Sequence, residues 1–157
     1  MITVRSLQKD LPISSDSVKK AIACLLAHLK VRTDFLSIYF VTTKKISSLH
    51  NKFFKDPSPT DCITLPIDPP FSSSSPHCLG EVFICPATAI AYANKHQINP
   101  YEETTRYLIH GILHLIGYED TTPKLKAQMR RKETQCLKHL KKFNTSISPS
   151  KKTSFAI

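Results

Sequence analysis

The chain has no tryptophan, two methionines and only three glycines. No apolar run approaches the roughly 20 residues that a helix needs to cross a bilayer, which excludes a helical membrane protein. Residues 1–6 (MITVRS) lack the charged-then-apolar design of a secretory signal, so the cytoplasm is the expected compartment. The five cysteines (Cys24, Cys62, Cys78, Cys85 and Cys136) are odd in number and never form C-x-x-C. That pattern argues against a disulfide framework and against a four-cysteine zinc site, and the cysteines are read as small buried hydrophobes. No internal repeat is present.

Acidic residues are scarce in one place. From Lys124 to the end there are ten Lys/Arg and a single acid, Glu133, so nearly all of the net charge of +10 lies in that segment. A one-sided basic stripe is an electrostatic footprint for nucleic acid; a solvated helix with a ragged tail is the competing reading. Without tryptophan or an aromatic-rich face, the segment is a poor match to a membrane-surface helix.

The 157 residues suffice for one domain with a real core. Residues 2–5, 35–41, 60–65 and 81–85 have the β-branched and aromatic character of strands. Residues 14–29 and 43–54 place apolar side chains at helical spacing, and 87–96 reads as a further helix. Six of the eleven prolines fall in residues 57–76, with a serine run at 72–75. They mark a long non-helical loop, expected to be a mobile surface excursion. Asn99-Pro100-Tyr-Glu-Glu opens the next helix with a capping residue, a proline at the first position and acids in the first turn. That helix is apolar almost all round and therefore central and buried. Pro123 starts the last helix, and from residue 144 onward the composition suggests a frayed basic tail to residue 157.

The chemistry is concentrated in one segment, HGILHLIGYED, from His110 to Asp120. Residues i and i+4 of a helix share a face, so His110 and His114 can point at one metal ion. Gly117 falls where helices stop in a left-handed cap, and the chain can then bring Asp120, or its neighbour Glu119, to the same point. Three ligands with an open fourth position is the pattern of a catalytic zinc. The spacing is similar to the metzincin pattern H-E-x-x-H-x-x-G-x-x-H, but the general base of those peptidases is replaced by Gly111. Two histidines on a buried helix also need partners or a metal, because unsatisfied polar groups there are costly. Glu133, on or beside the inner stripe of the last helix, has two candidate roles. One is a surface pair with Arg130; the other is orienting a ligating histidine. His28, His50, His96 and His139 read as surface or partly packed residues, and His77 as a remote candidate for the metal end.

The segment and its flanks resemble the YbeY family of rRNA maturation endoribonucleases. The family signature runs H-G-x-L-H-L-x-G-Y-D-H, followed by a helix with Met and, four residues on, Glu. His110-Gly111, Leu113-His114-Leu115, Gly117-Tyr118 and Met129 with Glu133 match it in place. Residues 59–66 (PTDCITLP) look like the family's P-T-D-V-L-S-F-P, and residues 79–84 (LGEVFI) like its L-G-D-I-x-I. The resemblance covers about residues 49–137; the N-terminal third fits only in its order of elements. Two positions depart from it. The family's third ligand is a histidine where this chain has Asp120, and a family arginine thought to assist catalysis falls on Phe54, with Lys55 adjacent.

The resemblance implies a single α+β domain over residues 1–143, with a mixed sheet of about four strands packed by helices. It implies one zinc held by His110, His114 and Asp120, with Glu133 and Glu119 as candidate supporting residues. It also implies a hydrolase acting on single-stranded RNA in small-subunit rRNA 3′-end maturation, in association with the small ribosomal subunit or its proteins. Lys55, Lys124, Lys126, Arg130 and Arg131 are the candidate RNA-binding residues. A metal-bearing RNA-binding ribosome assembly factor with weak or no nuclease activity remains the alternative, and a zinc peptidase is opposed by Gly111.

Overall fold

The computed structural model describes residues 1–150. Its elements run β1 (Ile2–Ser6), α1 (Ser15–Leu29), β2 (Phe35–Phe40), α2 (Thr43–Phe54), β3 (Cys62–Pro66), β4 (Cys78–Ile84), α3 (Pro86–His96), α4 (Pro100–Leu115) and α5 (Pro123–Lys142). The four strands form one mixed sheet in the order β1-β2-β4-β3. β1, β2 and β4 run parallel, and β3 lies antiparallel on the edge beside β4. The chain is thus the expected α+β domain, and its helix starts follow the capping chemistry. Ser14, Thr42, Asn99 and Thr122 each accept a backbone N–H of the first turn.

Alternation along the strands divides the apolar side chains between two faces. Leu36, Ile38, Phe40, Val82 and Ile84 point into the main core, which α1, α4 and α5 complete with Ile22, Leu25, Leu108, Ile109, Ile112, Met129 and Leu140. On the other face Val41, Ile63 and Cys85 meet Ile46 of α2 in a smaller cluster. α4 is the central helix: it packs on β3, β4, α3 and α5. Its approach to the sheet is close because Gly111 has no side chain. A Cβ there would come within 2.6 Å of Val82 Cγ1 and 2.9 Å of Cys62 Sγ. All five cysteines are free thiols; Cys85 and Cys136 are buried and the others half-buried.

Two expectations change. The proline-rich stretch splits into a short link before β3 and a turn between β3 and β4, and the second is anchored. His77 is buried there, its ring held by Thr33 Oγ1 at 2.8 Å and the Pro69 carbonyl at 2.9 Å. The Asp34 and Asp68 carboxylates take the backbone N–H groups of His77 and Cys78. The frayed tail does not begin at residue 144 either. Ile147 is buried against the main core, its N–H donates to Thr105 Oγ1 at 3.1 Å, and Ser148 is hydrogen-bonded to Ser14 and Ser17 of α1. One apolar side chain in a polar stretch, too isolated to register as periodicity, is enough to fasten it. The remainder of the expected tail, 151–157, lies outside the described residues.

Candidate metal centre

The last turn of α4 builds the site. Gly117 has φ +106°, a conformation that favours glycine. Its N–H bonds the His114 carbonyl and the N–H of Tyr118 bonds that of Leu113. This pair of bonds is the Schellman arrangement that closes helix ends, and it turns the chain back toward the histidines. Asp120 Oδ2 then lies 3.5 Å from His110 Nε2 and 3.6 Å from His114 Nε2, while the two Nε2 atoms are 3.0 Å apart.

The other ring nitrogens fix what these atoms can do. His114 Nδ1 lies 2.9 Å from the Tyr118 carbonyl, which can only accept, so Nδ1 carries the proton. His110 Nδ1 lies 2.8 Å from Glu133 Oε2, and a carboxylate likewise only accepts. In the neutral tautomers both Nε2 atoms therefore present bare lone pairs to each other and to a carboxylate oxygen. Three lone-pair donors in mutual contact repel one another unless a metal ion or a proton lies between them. Tetrahedral zinc sites with bonds of 2.0–2.1 Å have ligand–ligand edges of about 3.3–3.4 Å, which the three separations bracket. The residues present fit a metal ion.

Electrostatics agrees. Burial alone pulls the His110 pKa down, but the hydrogen bond and charge of Glu133, together with Asp61 and Asp120, outweigh it and raise it above the ordinary value. The pocket is thus anionic enough to favour positive charge. Glu133 itself is buried, and its second oxygen faces the guanidinium groups of Arg106 at 3.6 Å and Arg130 at 3.7 Å. Glu133 thus contacts both His110 and Arg130, from a buried position and not from the surface.

A cleft of about 850 Å³ opens from the triad between α3, α4 and α5, with Asp61, Arg106, His110, Asp120, Lys126 and Arg130 among its walls. Lys126 and Arg130 thus border the site. Lys124 is exposed outside that wall, and Arg131 lines a separate depression with Tyr118 and Gln135. Glu119 is exposed and borders another depression, beside Gly117. Lys55 caps α2 in a left-handed conformation. His77 is bonded elsewhere, as described above, and takes no part in the cluster. Asp61, Glu103, Arg106 and Tyr107 were not singled out from sequence as part of the site, yet they wall the same cleft.

The signature segment, the sheet order and the triad all lead to one family. The sequence model of that family, described as "Endoribonuclease YbeY", matches residues 3–141. This chain belongs to the YbeY endoribonuclease family. Among relatives of that name, the Chlamydia pneumoniae protein is 47% identical over 150 residues, which is 94% of this chain and 95% of the relative. The Chlamydia felis protein is 43% identical with the same coverage, and the Protochlamydia amoebophila protein is 40% identical over 148 residues, 94% of this chain and 97% of the relative. The solution structure of a Thermotoga maritima protein shares the fold with a TM-score of 0.63 at 22% identity, covering 92% of each chain. The family match also reaches the N-terminal third, where the motifs alone were silent. Among the described residues no helix is long and apolar enough to cross a membrane.

Proposed function

We propose that this YbeY-family chain is a single-strand-specific, zinc-dependent endoribonuclease of rRNA processing and ribosome quality control, acting at the 3′ end of small-subunit rRNA. The observation that carries the reading is the convergence of the two bare Nε2 atoms and Asp120 Oδ2 within 3.0–3.6 Å on the family's signature segment. Bound there, the metal supplies a Lewis acid for a phosphate oxygen and a water of lowered pKa. The protein's own residues do the rest. Glu133 and the Tyr118 carbonyl keep the protons on Nδ1 of both rings and so keep Nε2 free. Asp120 brings a negative charge where the family has a neutral histidine, which widens the range of divalent cations the site accepts. Lys126 and Arg130, on the cleft wall, neutralise the phosphates of the strand. The adjoining helices leave an open cleft, and unpaired RNA, whose bases can splay into such a cleft, is the substrate it suits. The partners are precursor rRNA and the small ribosomal subunit, and the compartment is the cytoplasm.

The test is elemental mass spectrometry of the wild type beside Asp120→Ala, followed by cleavage of single-stranded rRNA fragments by wild type and His114→Ala. About one zinc per chain, lost in the Asp120 variant, and cleavage abolished in the His114 variant are expected. A wild type that carries no metal and binds rRNA without cutting it would make the chain an RNA-binding assembly factor instead.

A further inference from the structure

A second opening adjoins the triad at His114. There a smaller cavity of about 320 Å³ is walled by His50, Phe54, Cys62, Ile63, Thr64 and His114. His114 is shared between this cavity and the triad, so whatever occupies it lies next to the metal position. The last turn of α2 reaches past the edge strand β3 and supplies its rim. Phe54 is 58% exposed, which is costly for a phenylalanine with nothing to cover. Its ring is nonetheless braced. His50, one turn earlier, lies 5.6 Å away in a tilted pair, and the chain after α2 holds His50 through the Ser58 carbonyl at 2.9 Å. An exposed, braced aromatic ring beside a cavity next to a phosphate-handling centre is the arrangement used to stack an unpaired base. Lys52 and Lys55 flank the ring in sequence and add positive charge at the same helix end.

Resting on the endoribonuclease reading, we infer that Phe54 and the cavity beside His114 form a nucleobase subsite, in which one unpaired base of the RNA strand stacks on the Phe54 ring while the adjoining phosphate lies at the triad. The strand then crosses the metal position with one neighbour in this cavity and the other in the large cleft. The ring binds; it takes no part in bond breaking. Phe54 is therefore a specificity-determining residue that holds the strand, and its effect falls on substrate affinity.

The test uses the full-length, metal-loaded protein with single-stranded RNA carrying one 2-aminopurine, moved stepwise along a nuclease-resistant phosphorothioate strand, together with steady-state cleavage of ordinary RNA. In the wild type, 2-aminopurine fluorescence is expected to be quenched at one position next to the bound phosphate, and the quenching is lost in Phe54→Ala. Phe54→Ala is expected to raise KM about tenfold with kcat nearly unchanged, the size of one lost base–aromatic stack. Phe54→Trp restores both signals. Phe53→Ala, whose ring is exposed but not part of the cavity wall, changes neither. Unchanged KM and quenching in Phe54→Ala, in a protein that still binds and cuts RNA, would overturn the subsite alone and leave the phenylalanine to some other surface, such as a protein contact. A fall in kcat at constant KM would overturn it too. A wild type that neither binds nor cuts RNA would overturn the nuclease reading, and the subsite with it.

Discussion

Glu133 turns one oxygen to His110 Nδ1 and the other toward Arg106 and Arg130, all from a buried position on α5. Supporting carboxylates of this kind raise ligand basicity and fix ring orientation. Replacing Glu133 by Ala should weaken metal binding by about 10–100-fold, read by chelator competition, with Glu133→Gln falling between the two. Equal affinity in the alanine variant would show that packing alone orients the ring. The residue scale also shows what a sequence can and cannot say. His110 and His114 are legible because their geometry is local to one helix, and Asp120 because Gly117 announces the turn that returns it. Arg106 carries a local signal too: Glu103, Arg106, Tyr107, His110 and His114 recur at three- and four-residue steps, a polar face on an otherwise apolar helix. Asp61 lies in the P-T-D match but has no periodic signal that joins it to the histidines, since it precedes β3 and meets the site through the packing of that strand against α4.

Helix and sheet meet closely at Gly111, where α4 rests on Val82 and Cys62 of the sheet. The metzincin pattern requires an acid at that position, and the structure has no room for even a methyl group there. Gly111→Ala gains helix propensity in the abstract, but it forces a β-branched neighbour aside. Overpacking of this kind costs about 1–3 kcal/mol, so a lower midpoint in chemical denaturation is expected. Because α4 carries both histidines, the variant should also bind metal less tightly. Helix starts were legible because capping residues and N1 prolines act within one turn. The strands were placed correctly in order but shifted: β3 starts later than expected, and β4 begins at Cys78 instead of Glu81. Strand ends are set by pairing with a distant partner, here Pro66 opposite Gly80, and a local reading of residues 79–81 does not contain that information.

At the scale of the whole molecule, α1 and α5 are joined by a stacked pair of imidazoles, His28 and His139, with ring centres 4.0 Å apart. His28 Nε2 is buried and has no hydrogen-bond partner among the described residues. Burial first, then His139 and Lys132, lower the His28 pKa below its ordinary 6.5. Protonation therefore favours the unfolded chain. The stability contributed by a neutral His28 is full above pH 6.5 and is lost as pH falls from there through the lowered folded-state value. A urea-midpoint profile should show this loss in mild acid, and His28→Gln should flatten it; an identical slope in the variant would assign the loss to other groups. The basic helix α5 is held at one end by this contact and nearer the site by Glu133, so the cleft-lining charges of Lys126 and Arg130 sit on a fixed frame. Charge asymmetry was legible from composition; which of those charges border the cleft was not, because that depends on how α5 rotates to bury Met129, Glu133, Cys136 and Leu140.

The turn that ends α4 also sets the segment from His114 to Asp120 in the form a chelate ring would take around a metal. The Gly117 and Tyr118 N–H bonds fix the helix end, and the His114–Tyr118 bond sets the rotation of one donor group. A segment whose turn is already formed would lose less chain entropy on binding an ion than an open chain would. A donor set held in this way would sort divalent ions by bite size within the wider range that a carboxylate admits.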